Sequence, residues 1–137
     1  MDLQYNVTLR NSIMTALKAA IDAGGAAGSA KAYTLPLPAT TGAAITSQTL
    51  LATCALSYPC GTVSAGALTF GAIADEATAP ASGDMAFIRI LSSTGDFVLD
   101  AGIGLTGSGK IFTANTLTVI AGGIVRGISA VLTEGNP

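Results

Sequence analysis

The chain has 137 residues and a formal net charge of −2, from 6 Lys and Arg against 8 Asp and Glu, with no His. Charged residues make up 10%, against about 25% in an average soluble chain, and Ala (25), Gly (17) and Thr (17) fill the difference. The length fits one domain, and the composition argues against a basic nucleic-acid binder, a charged disordered tail and any chemistry that needs histidine.

The opening Met1-Asp2-Leu3-Gln4-Tyr5-Asn6 puts an acid where a secretory signal needs a basic region followed by an apolar one. The chain is therefore expected to be made and to fold in the cytosol. Residues 6–23 read as one helix. Leu9, Ile13, Leu17 and Ile21 step by four, with Met14 and Ala20 beside them, and form one apolar stripe. Asn6 is the N-cap by residue type, and Gly24-Gly25 ends the helix. Arg10, Asn11, Lys18 and Asp22 are expected on the opposite, solvent side. Residues 1–25 thus form a helical lead-in that belongs to the same domain as residues 26–137.

After the small-residue linker Gly24–Ser29, runs of Thr, Val, Ile and Phe alternate with Gly, Pro, Ser and Asp clusters, the pattern of many short strands. Lys31–Leu37 places Tyr33, Leu35 and Leu37 on one face, and Pro36 points to an edge position. Pro38–Ser47 reads as a polar loop. Leu50–Leu56 aligns Leu50, Ala52, Cys54 and Leu56, and Ala67–Ala72 aligns Leu68, Phe70 and Ala72. Ile73–Asp84 reads as a loop. Met85–Leu91 and Phe97–Ile103 read as a hairpin turning at Ser92–Asp96, with Gly95 free to take a positive φ. Leu105–Gly109 is a turn, Lys110–Val119 and Ile124–Thr133 form a last pair joined near Ala121-Gly122-Gly123, and Glu134–Pro137 is a tail. The prediction is a mainly β domain, a β-sandwich or jelly roll of about seven or eight short antiparallel strands behind one N-terminal amphipathic helix. Mean hydropathy is +0.60, but Pro36, Pro38, Pro59 and scattered Gly and Thr interrupt the charge-free stretch Ala32–Ala74. Leu117–Val125 is too short to cross a bilayer and contains Gly122-Gly123, so no membrane span is expected.

Several motifs invite chemistry. Gly102-Ile103-Gly104-Leu105-Thr106-Gly107 matches G-x-G-x-x-G, and Gly104 to Lys110 matches G-x-x-x-x-G-K. A phosphate loop needs Ser or Thr after the lysine and a helix starting there. Ile111-Phe112-Thr113 follows instead, which is strand composition, and no βαβ alternation surrounds the motif. Cys54 and Cys60 fit no zinc spacing and read as two small buried hydrophobes, a cytosolic disulfide being disfavoured. The Asn6-Val7-Thr8 sequon carries no weight without a secretory route. Asp75-Glu76 are neighbours in a predicted loop, and Asp96 and Asp100 flank a strand and read as turn residues. Ser and Thr nucleophiles lack a histidine base. The expectation is no enzyme, with no catalytic, cofactor-binding or metal residues, no cofactor, and no small-molecule, nucleic-acid or membrane partner.

What stands out is the shortage of charge at a surface that in a small domain carries about 25–35% charged residues. Such a surface suits contact with other protein, because interface cores lose charge. The chain resembles small virion structural proteins of tailed bacteriophages over nearly its whole length. The resemblance runs from the helix Arg10-Asn11-Ser12-Ile13-Met14-Thr15-Ala16-Leu17, ending in Asp22-Ala23-Gly24-Gly25, through Thr49-Leu50-Leu51-Ala52-Thr53 before Leu56-Ser57. It continues through Ser64-Ala65-Gly66-Ala67-Leu68-Thr69-Phe70, Phe87-Ile88-Arg89-Ile90 and the turn Ser93-Thr94-Gly95-Asp96. It closes on Ile120-Ala121-Gly122-Gly123 and Leu132-Thr133-Glu134-Gly135-Asn136. Cys54 and Cys60 depart from the group's pattern. The resemblance implies a virion protein, foremost a capsid decoration (cement) protein on the head exterior, with the major capsid protein as partner and self-association as a trimer. A tail, fibre or baseplate component is the alternative, and a host-surface or carbohydrate-binding module is a weaker one. The helix or the Ala32–Ala74 stretch is expected to supply the apolar contact.

Overall fold

A computed structural model describes residues 4–133. The opening residues 1–3 and the tail 134–137, with the close of the last quoted strand pattern, lie outside the described residues. Helix α1 spans Val7–Ile21. Asn6 caps it as the sequence predicts: its backbone is extended, and its side-chain oxygen accepts the Leu9 N–H at 2.8 Å. Gly24 and Gly25 follow in the left-handed region at φ +93 and +73, which turns the chain back toward the sheet.

Among the described residues ten strands come next: β1 Ser29–Tyr33, β2 Leu50–Ala55, β3 Gly61–Ser64, β4 Ala67–Phe70, β5 Gly83–Asp84, β6 Phe87–Leu91, β7 Phe97–Leu105, β8 Phe112–Ala114, β9 Thr118–Val119 and β10 Ser129–Thr133. Eight of them form one sheet in the order β2-β1-β6-β7-β8-β10-β4-β3, and β5 and β9 form a separate ribbon. The large sheet curls into a half-barrel. The mainly β, sandwich-like domain with one N-terminal helix is what the sequence predicts.

Three details differ from the sequence reading. The first is the strand count. β3 is passed over by that reading, because Gly61-Thr62-Val63-Ser64 is too short to show a period. Lys110–Val119 also divides into β8 and β9, which pair with different partners.

The second is an exception to antiparallel pairing. β7 runs parallel to β8, from Ile103↔Phe112 to Leu105↔Ala114. Parallel neighbours usually need a crossover of a dozen or more residues, and here the six residues 106–111 suffice. Gly107 and Gly109 take φ +87 and +81. The Ser108 N–H donates to the Leu105 carbonyl, and the Thr106 N–H donates to the Ala114 carbonyl. The glycines that mimic a phosphate loop therefore serve a tight turn-back.

The third is strand β1. It ends at Tyr33 and pairs on both sides, with β2 and with β6, so it is interior rather than an edge. Pro36 lies beyond the strand, where the chain has left the sheet, and Leu35 and Leu37 are 67% and 57% exposed. Ala72 likewise falls outside β4 and is exposed. Opposite the register shift at Ala32/Tyr33, Leu51 and Ala52 are both buried, leaving Leu50 half-buried.

The main core fills the inside of the curl with Leu51, Cys54, Leu68, Ile88, Ile90 and Phe112, and α1 adds Met14 and Ile21. The helix sits on β3 and β4, rotated from the stripe the sequence predicts. Leu9 is 45% exposed and Ala20 is exposed, whereas Arg10, Asn11, Lys18 and Asp22 lie half-buried in the seam against the β3–β4 hairpin. The hairpin explains the rotation. Its backbone brings N–H groups to the helix, and polar side chains must accept them. Asn11 Oδ1 accepts the Gly66 N–H at 2.7 Å, and Asp22 Oδ1 accepts the Cys60 N–H at 3.0 Å. Gly66 (φ +77) packs directly against the Arg10 guanidinium and leaves no room for a Cβ.

A second packing layer covers the outer face of β1, β6 and β7. Tyr33 and Phe87 stack at 5.4 Å, and the loop after β1 lies over Phe97, with Gly42 against the ring.

Candidate functional site

Most of the few charges are spent within the fold. Arg89 on β6 faces Asp100 on β7, with Nε–Oδ1 and Nη2–Oδ2 both at 2.8 Å. The guanidinium also lies 5.0 Å from the Phe97 ring centre. Its hydrogen bond to Asp100 raises the arginine pKa further, against a smaller desolvation effect. Asp100 is therefore a strand residue in a part-buried ion pair, not the turn residue the sequence suggests. Asp96 does serve the turn, where its Oδ2 accepts the Thr94 hydroxyl at 2.9 Å. The hairpin turn itself matches the sequence reading, with Gly95 at φ +86.

Glu76 works as a clasp. Its Oε2 accepts the Thr53 N–H at 3.1 Å and its Oε1 the Thr78 N–H at 3.3 Å. Its backbone bridges to Val125, and the Ala74 N–H donates to the Ala55 carbonyl. The segment around Glu76 thus covers the outer edge of β2, which would otherwise present unpaired backbone groups.

Cys54 and Cys60 are buried free thiols. Burial pushes both thiol pKa values up to about 11, with Glu76 adding to the rise at Cys54 and Asp22 at Cys60. Both therefore stay protonated and unreactive near neutral pH. Among the described residues, no group of three His, Cys, Asp or Glu converges on one point, and no helix is long and apolar enough to cross a membrane.

The feature that remains is a set of exposed aliphatic side chains on turns that border separate shallow depressions. They lie on the loop after β1 and on the connection from β8 to β10. Leu35 borders a shallow depression with Asp84, Met85 and Ala86. Leu37 borders the next with Ala86, Phe87 and Lys110. Ile124 borders a third with Met85, Val119 and Arg126. Ile120 follows Val119, the residue paired with Gly83. Leu35, Leu37, Ile120 and Ile124 are 67, 57, 71 and 54% exposed. Turn geometry holds them there. The Gln48 amide donates to the Pro36 carbonyl at 2.9 Å, the Ala121 N–H donates to Ser82 Oγ at 2.8 Å, and the Gly123 N–H donates to the Ile120 carbonyl.

Part of this set was legible as the charge-free Ala32–Ala74 stretch, which supplies Leu35 and Leu37. Ile120 and Ile124 come from outside it, Ile120 just past the strand expected at Lys110–Val119 and Ile124 at the start of the one expected at Ile124–Thr133. The prolines on either side of Leu37 and the glycines after Ile120 were the available signal that these residues sit on turns. No protein-family model, curated protein or solved structure matches this chain.

Proposed function

We propose that this chain is a structural protein of a bacteriophage particle, and within the particle a decoration (cement) protein on the exterior of the head. The observation that carries this reading is the inversion of its surface. Arg89 pairs with Asp100, while Leu35, Leu37, Ile120 and Ile124 each stand more than half exposed. Isolated exposed hydrophobes are ordinary on soluble proteins, and this reading takes the four as parts of one binding surface. The turn and strand pattern quoted above supplies the setting, a phage virion.

The mechanism is linkage. A small domain that binds the assembled shell and not its free subunits stabilises assembly in proportion to its occupancy. In this reading the major capsid protein is the partner and no catalytic step is involved. Quantitative mass spectrometry of purified particles tests it. A copy number near that of the major capsid protein supports decoration. A copy number typical of tail or fibre subunits moves the protein to the tail, and absence from particles removes the virion reading.

A further inference from the structure

We infer that the loop 34–49 is a hinged cover on the outer face of the sheet. It opens as one unit about Thr34 and Thr49 and uncovers Phe97 and the Arg89–Asp100 pair while the sheet stays folded. The inference concerns the isolated domain and does not depend on the decoration reading.

The first observation is where the loop is inserted. β1 and β2 pair up to Tyr33↔Leu50. The next two residues continue the ladder. The Thr34 N–H donates to the Thr49 carbonyl at 3.1 Å, and the Thr49 N–H donates to Thr34 Oγ1 at 2.9 Å. Two residues suffice to close a hairpin at such a pair, yet the whole run 35–48 intervenes. A long excursion whose ends are held together is an Ω-loop, a unit packed largely on itself.

The second observation is how the loop is held. It carries no charge. Among the described residues, the hydrogen bonds of 35–48 all close within 34–49. The Thr34 hydroxyl donates to the Leu35 carbonyl, the Gln48 amide to the Pro36 carbonyl, the Thr46 N–H to Gln48 Oε1, and the Ala43 N–H to the Thr40 carbonyl. None reaches β6 or β7. Loop and sheet meet by van der Waals contact, with Gly42 on the Phe97 ring. Two shallow depressions, both bordered by Pro38 and both reaching Asp100, open between the loop and β7. Leu35 and Leu37 are 67% and 57% exposed, so the loop's largest side chains do not anchor it.

The third is what lies beneath. Arg89 takes its carboxylate from β7 and not from the loop. Lifting the loop therefore breaks no bond of the pair and strands no charge. Opening gives up apolar contact alone, which places it among the local openings that occur far below global unfolding. Leu35 and Leu37 ride on the loop, so its state sets their position.

NMR relaxation dispersion on the full chain tests this, since lid motions fall in the microsecond-to-millisecond range. One common exchange rate is expected for the amides of 35–48 and for the Val98 methyls, which line the depression under the loop. The amides of Ile88 and Ile90 should show none. Phe97→Ala removes the ring on which Gly42 rests and should raise the open population about tenfold, with Ile88 and Ile90 still silent. Replacing 35–48 by Asn-Gly should keep the strand signal in circular dichroism and abolish the exchange at Val98. Flat profiles across 35–48 would overturn the inference, as would exchange shared with Ile88 and Ile90, which would mean that the loop opens only when the sheet does. A Phe97→Ala chain with an unchanged open population also contradicts it. So does an Asn-Gly chain that fails to fold, because the face would then be unable to stand uncovered.

Discussion

Arg89 and Asp100 face each other across β6 and β7 and form two parallel hydrogen bonds of 2.8 Å. Arg89 is 7% exposed, and Tyr33, Phe87 and Phe97 form its surroundings on the outer face of the sheet. The pair lets the loop after β1 lie over that face without stranding a charge, and so sets where Leu35 and Leu37 emerge.

Removing one partner should cost more than removing both. Asp100→Ala leaves a guanidinium buried without its carboxylate and is expected to destabilise the fold by about 3 kcal/mol. The double variant Arg89→Met with Asp100→Leu should recover most of that loss. Urea unfolding of the two variants measures the difference, and equal losses would mean the pair is not the organising contact of this face.

Cys54 and Cys60 give the domain an alkaline limit. Their thiol pKa values stand near 11 in the fold and near 8.5 in an unfolded chain. Because the folded values are the higher ones, the unfolded chain holds fewer protons between the two. Stability is then fully present below about pH 8.5 and falls as pH rises through about 11, by about 3 kcal/mol for each thiol at most. Replacing both with Ala should flatten the stability curve over that window, as read by thermal melts from pH 7 to 11. An unchanged slope would contradict the assignment.

The rotated helix makes its own contrast. Asn11 accepts the Gly66 N–H from the hairpin, so Asn11→Ala should cost about 1–2 kcal/mol through a lost and partly buried hydrogen bond. Leu9, which the apolar stripe places in the core, is 45% exposed, and Leu9→Ser should change stability by no more than about 0.5 kcal/mol. Chemical denaturation of both variants checks the order, which the stripe taken alone would reverse.

Fold class was legible because it depends on local signals that agree. Asn6 and Gly24-Gly25 bound the helix, and the Ser92–Asp96 turn joins β6 to β7 in the predicted hairpin. The helix orientation was not legible, since it follows from backbone donors at Cys60 and Gly66 that only the folded hairpin presents. The parallel β7–β8 pair was hidden for a similar reason. Its glycine-rich connection has the composition of any turn, and direction is fixed by the bond from the Thr106 N–H to Ala114. The set of exposed aliphatic residues was half legible, because Leu35 and Leu37 alternate with prolines in a way that also fits a strand. Its other half comes from a segment more than 80 residues further along the chain, whose turn bond to Ser82 only the fold supplies.

The most direct test of the decoration proposal is binding of the purified protein to assembled phage heads that lack it, set beside binding to dissociated shell subunits. The account predicts saturable binding to the assembled heads only, with a rise in the temperature at which the heads come apart. Equal binding to free subunits, or saturation with no gain in head stability, would contradict it.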